Sequence, residues 1–171
     1  EAAVISMFGI VASESVRVAG DRLDDAIAAH IKRRHNLIVG ERTAEEVKLA
    51  LGSALPLEPD TTVGVRGRDQ ISGLPRTVTV QSSEVTQAIQ EHLGSIVQTV
   101  RSVLERTPPE LASDVIDRGI VLTGGGAMLR HLDDLLRHET GVSVHVADDP
   151  LQCVARGSGA ALDYLDVIER A

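Results

Sequence analysis

Apolar residues recur with helical spacing in three stretches of the chain. The longest is "SSEVTQAIQEHLGSIVQTVRSVLERT", where Val85, Ile89, Leu93, Ile96, Val100 and Leu104 form one stripe. Ser82 or Ser83 is placed to cap it. In "GDRLDDAIAAHIKRRHN" Leu23, Ile27 and Ile31 recur every four residues, and Asp21 is the expected N-cap. "GERTAEEVKLALGS" reads as a shorter helix, with Thr43 and Glu46 at capping-box spacing and Gly52 at its end. Strand-like segments lie around these helices. "AAVISM" and "GIVASESVRVAG" read as two strands joined at Phe8-Gly9. "TTVGVRGR" and "RTVTVQ" flank "DQISGLP", whose Gly73 and Pro75 mark the turn of an antiparallel hairpin.

The last third alternates. A helix "PPELASDVIDR", opened by paired prolines, is followed by strand "GIVLT", helix "AMLRHLDDLLRHET", strand "VSVHVAD" and helix "PLQCVARGSGAALDYLDVIER". Alternation of this kind predicts an α/β fold with a largely parallel sheet and right-handed crossovers. The middle, about residues 35–110, reads as α+β. A chain of two lobes, the middle one inserted into the outer one, accounts for the pattern.

Composition narrows the function. Of 171 residues 43% are hydrophobic, yet the only aromatics are Phe8 and Tyr164, so the core is aliphatic. Base stacking is essentially absent from the repertoire, and the net charge is -8. Both argue against nucleic acid as a partner. The basic run "IKRRH" suits the C-terminal end of a helix dipole, with a membrane surface as the other reading. Cys153 stands alone, which rules out an internal disulfide, and it is expected to be a buried structural thiol. The six histidines show no metal-ligand spacing. No apolar run reaches the roughly 20 residues of a membrane helix. The chain starts at Glu1 inside an apolar run, and the expectation is a fragment of a longer protein.

Two segments carry candidate chemistry. In "LTGGGAML" the three glycines Gly124, Gly125 and Gly126 stand between a strand and an expected helix. Glycines allow close backbone approach, and a helix N-terminus favours an anion, most often phosphate. A tight structural connection is the alternative. In "GERTAEEVK" Glu45 and Lys48 share a helix face, with Glu46 beside them. Such a pair suits ribose hydroxyls or an adenine edge; a solvated ion pair is the alternative.

Taken together, "AAVISMFGIVASESVRVAGDRLDDAI", "GERTAEEVK", "GLPR" and "RTPPELASDVIDRGIVLTGGGAMLRHLDDLLRHETGVSVHVADDPLQCVARGSGAALD" resemble the second half of the MreB family of bacterial actin-like proteins, over nearly the whole chain. The resemblance implies an actin-like (ribonuclease H-like) lobe, residues 1–30 and 112–171, with a small inserted α+β lobe, residues 31–111. It implies ATP with Mg as ligand of the full-length protein. Gly124, Gly125, Gly126 and Ala127 would lie by adenosine and phosphate, and Glu45, Glu46, Val47 and Lys48 by ribose and adenine. Glu46 stands where the family usually has Arg, which puts a cationic contact to nucleotide in question.

The implied function is a filament on the inner face of the cytoplasmic membrane that maintains rod shape by organising cell-wall synthesis. The implied partners are further copies of the protein, a RodZ-like membrane protein, the inner membrane through the other half, and the cell-wall machinery. The first phosphate loop, the metal-linked aspartate and the carboxylate that positions water are expected in that other half. No catalytic residue is assigned here, and these 171 residues alone are expected not to hydrolyse ATP measurably. A non-catalytic half-protein that caps or regulates filaments and a sugar kinase of the same superfold are the competing readings.

Overall fold

A computed structural model describes residues 1–7 and 9–164. The described residues form two compact units. Unit 1 holds the described residues of Glu1–Arg17, Ser95–Met128 and those from Asp133 to Tyr164; unit 2 holds Val18–Gly94 and Leu129–Leu132. These boundaries fall elsewhere than those of the implied lobes. The first helix groups with unit 2, and the long helix is shared between the units.

In unit 2, α1 (Gly20–His35) buries Leu23, Ile27 and Ile31, the residues of its apolar stripe. It packs against α2 (Glu41–Leu51), which buries Ala44, Val47 and Leu51. Between them the short β3 (Leu37–Ile38) joins an antiparallel sheet with β4 (Thr62–Asp69) and β5 (Pro75–Gln81). Helix α3 (Ser82–Glu105) follows β5 directly, and its first part adds Val85, Ile89 and Leu93 to this core.

The helix starts are built differently from the expectation. α1 is preceded by Ala19, with Asp21 inside its first turn, where its charge favours the dipole. α2 begins at Glu41, so Thr43 is already helical and no capping box forms. At α3 the serines do not cap. Asp60 accepts hydrogen bonds from the hydroxyls of Ser82 and Ser83 and from the Ser83 N–H. These bonds hold the Asp60 carboxyl below its usual range, the Ser82 hydroxyl contributing most. Gly52 does end α2, its N–H donating to the Lys48 carbonyl at 2.7 Å, but with φ −63. Glycine is needed there for space, because a Cβ would collide with that same carbonyl.

In unit 1, β1 (Ala2–Ser6) and β2 (Gly9–Glu14) are an antiparallel pair. The second strand stops at Glu14, short of the Val16–Val18 run expected to extend it; the expected junction at Phe8 lies outside the described residues. The second part of α3 is tied to β2 by Glu14, which accepts from Ser102 at 2.5 Å and Arg106 at 2.7 Å. α4 (Pro109–Arg118) leads to β6 (Ile120–Leu122), which pairs in parallel with β7 (Val144–Val146), as the alternation predicts. α5 (Leu132–Thr140) connects β6 to β7, and α6 (Cys153–Leu162) follows. The part of the last expected helix beyond residue 164 lies outside the described residues. Cys153 is half-buried rather than fully enclosed, its thiol facing the carbonyls of Asp148 and Asp149. Among the described residues no helix is long and apolar enough to cross a membrane.

Candidate functional site

The glycine loop leaves the end of β6. Its entry is set by backbone bonds. The Ala147 N–H donates to Leu122 O at 3.0 Å, and the Gly124 N–H donates to Pro150 O at 2.8 Å. Gly124 takes φ +81, a left-handed conformation that favours glycine. The chain then makes one turn of 3₁₀ helix over Gly125–Met128, and the buried Ala127 closes it with a 3.2 Å bond to Gly124 O.

This corrects the expectation that the glycines open an α-helix. The apolar residues Met128, Leu129 and Leu132 mimic helical spacing, but His131 has φ +58 and breaks the run, so α5 starts only at Leu132. The phosphate argument from an α-helix dipole at the glycines therefore fails. What remains is a glycine-lined turn at the carboxyl end of a parallel strand.

The three glycines are not equivalent. Gly124 needs its φ. Gly125 has φ outside the left-handed region, and a Cβ built on it would make only ordinary contact, 3.5 Å, with Leu151 Cδ2. Gly126 also has an ordinary φ, and a Cβ built on it meets nothing within 4 Å. Nothing in the described fold requires glycine at 126.

The second segment sits on α2 in unit 2. Glu45 and Glu46 are exposed, whereas Val47 is only 3% exposed and belongs to the core with Ala44 and Leu51. Glu45 and Lys48 do not form the expected pair. The Lys48 ammonium turns to α1 instead, donating to Asp24 Oδ2 at 2.8 Å and to Gly20 O at 3.4 Å. Glu46 accepts from Arg42 at 3.1 Å, an exposed i,i+4 bridge. With Thr43, Val47, Val63, Gly64, Val65 and Arg66 it lines a cavity of about 190 Å³. Arg66 thus brings a cation to the same cavity as Glu46.

Two further residues support α2 and gave no sequence signal. Asp24 anchors Lys48. Arg130, four residues after Gly126, donates to the carbonyls of Ala50 at 3.0 Å and Leu49 at 3.3 Å. It thereby satisfies acceptors that the helix end leaves open. The Ala54 N–H answers with a 2.8 Å bond to Arg130 O, and Ser53 pairs alongside. Among the described residues no group of His, Cys, Asp and Glu is arranged to hold a metal ion.

The family model described as MreB/Mbl protein matches residues 1–170. Over 168 residues the chain is 50% identical to the cell shape-determining protein Mbl of Bacillus subtilis, covering 98% of this chain and 50% of that protein. It is 52% identical over 167 residues to the cell shape-determining protein MreB of Escherichia coli, covering 98% of this chain and 48% of that protein. Its structure is similar to that of MreB5 of Spiroplasma citri bound to ADP, with a TM-score of 0.91, 35% identity, and coverage of 99% of this chain and 52% of that one. The chain spans about half the length of the curated relatives it matches.

Proposed function

The chain belongs to the MreB/Mbl family and has its actin-like fold, and from that premise we propose that it works as part of an ATP-binding filament protein. In this reading the filament lies at the inner face of the cytoplasmic membrane and maintains rod shape by organising cell-wall synthesis. Further copies, a RodZ-like membrane protein and the cell-wall machinery are its partners. The implied lobes are residues 1–30 with 112–171 and residues 31–111. Gly124, Gly125, Gly126 and Ala127 serve adenosine and phosphate; Glu45, Glu46, Val47 and Lys48 serve ribose and adenine. The side chains of Val47 and Ala127 are buried, so their part is to shape the backbone. ATP would arrive with Mg, whose ligands the family pattern places outside these residues.

One observation carries the reading. Gly126 is a glycine that the described fold does not need: it has an ordinary φ, and no described residue lies within 4 Å of a built Cβ. A residue kept bare for no internal reason is accounted for by something external that approaches the backbone. That a relative was solved bound to ADP supports taking a nucleotide as that external group.

The test is nucleotide titration of the complete gene product and its Gly126→Val variant. Unchanged melting with a Kd for ATP weakened at least about 10-fold, or about 1.4 kcal/mol, supports the assignment. Equal affinity removes the loop from the site. No ATP binding by the unaltered protein removes the function.

A further inference from the structure

A lysine ammonium sits on a flexible four-carbon stem, and holding it in one place costs rotamer entropy. That of Lys48 is already held. It donates to Asp24 Oδ2 at 2.8 Å and to Gly20 O at 3.4 Å, and its side chain is 14% exposed. The start of α1 makes room for it: a Cβ built on Gly20 would stand 3.3 Å from Lys48 Nζ, closer than ordinary van der Waals contact. All three residues belong to unit 2.

Stability alone does not account for this arrangement. Asp24 Oδ1 is shut off from solvent and has no hydrogen-bond partner among the described residues. A buried ion pair with an oxygen left over serves a fold no better than two apolar side chains of similar size. What the pair supplies is direction. An ammonium has three N–H donors. Asp24 and Gly20 take two, and among the described residues the third has no acceptor. We propose that Asp24 and Gly20 are positioning residues that aim this third Lys48 N–H at a ribose hydroxyl, so that the site selects ribonucleotides over deoxyribonucleotides. Both act through the ammonium rather than on the nucleotide. The donor is fixed beforehand, so little freedom is lost when the hydroxyl accepts from it. A bond from a charged donor is also stronger than a neutral one. A sugar lacking the hydroxyl leaves that donor unanswered in a poorly hydrated place, which is how a polar site rejects an analogue. The inference rests on the nucleotide reading above and adds the sugar selectivity and the residues that set it.

Equilibrium titration of the complete gene product tests it, below its assembly concentration, with ATP, ADP, 2′-deoxy-ATP and 3′-deoxy-ATP. The unaltered protein should bind ATP about 10-fold tighter than at least one of the deoxy analogues. In Asp24→Asn that preference should fall to about 2-fold, while the ratio of ATP to ADP affinity stays where it was. Gly20→Ala keeps both charges and crowds only the ammonium, and it should cut the preference about 3-fold. In Lys48→Met the preference should be gone, and adding Asp24→Leu should change it no further. Should Asp24→Asn not fold, Gly20→Ala and the comparison of Lys48→Met with the double variant decide. A preference that survives Asp24→Asn and Gly20→Ala, with every nucleotide weakened alike, would leave both residues a structural role and overturn the proposal. A further change on adding Asp24→Leu to Lys48→Met would make Asp24 a direct contact and overturn it too. Equal binding of ATP and both deoxy analogues by the unaltered protein would remove the sugar selectivity and leave nucleotide binding standing. No ATP binding by the unaltered protein would remove both.

Discussion

The Lys48 ammonium lies 2.8 Å from Asp24 Oδ2, both side chains are about six-sevenths buried, and the second Asp24 oxygen has no hydrogen-bond partner among the described residues. The contact joins α1 to α2 across 24 residues of chain. Taking one partner away leaves the other charge stranded in a poorly hydrated place. Asp24→Ala should therefore cost about 3 kcal/mol in denaturant unfolding, and Lys48→Met should cost a similar amount. Asp24→Leu combined with Lys48→Met should cost clearly less than the sum, because no charge is left behind. Additive losses would mean that the pair contributes nothing as a pair.

The turn at Asp69 sets a dependence on acid. The Ser72 N–H, the Arg76 guanidinium and the Ser72 hydroxyl lower its carboxyl from 3.8 to about 2. The unfolded chain thus takes up the proton first, and stability gained from this group is complete above pH 4 and lost as pH falls towards 2. Amide exchange of Ile71 and Ser72 should accelerate across that window. In Asp69→Asn these amides should be less protected throughout and lose the acid step.

His30 acts at milder pH. Burial lowers its pKa below 6.5, outweighing the opposing pull of Glu84, while Arg33, His35 and Arg34 add to the lowering. A histidine held neutral in the fold gives stability above its unfolded pKa that is lost as pH drops through the folded one. The melting temperature should fall from pH 7 to pH 5, and His30→Gln should flatten that part of the profile. Glu84 also bonds His35 at 2.7 Å, so Glu84→Gln should loosen the α1–α3 contact at every pH.

Glycine substitutions should separate structure from ligand. Gly119 has φ +82, and a Cβ there would stand 2.7 Å from Ser143 O, where β6 meets the start of β7. Gly119→Ala should cost about 2 kcal/mol or more. Gly126→Ala should stay within about 0.5 kcal/mol of the unaltered protein. Equal melting of the two variants would contradict the described loop.

The periodic residues announced most of this architecture. Leu23, Ile27 and Ile31, and then Val85, Ile89 and Leu93, sit in the core where their spacing puts them. The hairpin was readable from its turn residues Gly73 and Pro75, and the parallel β6–β7 pair from the alternation of strands and helices. The misreadings come from partners distant in sequence. Nothing near Lys48 reveals that it turns to Asp24, and nothing near Leu49 or Ala50 points to Arg130. The caps failed likewise: serine before an apolar stripe signals a cap, but Asp60 occupies that role from 22 residues away. At the glycine loop, local spacing favoured helix while the backbone at His131 did not.

Unit 1 keeps its described strands as two separate ribbons, β1 with β2 and β6 with β7. A two-stranded ribbon is marginal by itself. The three-stranded sheet of unit 2 buries Val80 together with Ile27, Ile31 and Ile89 of the helices, which solvent hardly reaches. The chain should therefore not unfold as one body. Deuterium should enter the ribbons through small local openings, hours before it reaches the amides under α1 and α3. Any strand laid along a free ribbon edge should then act as a brake, read directly as slowed uptake in the half of the molecule that exchanges first.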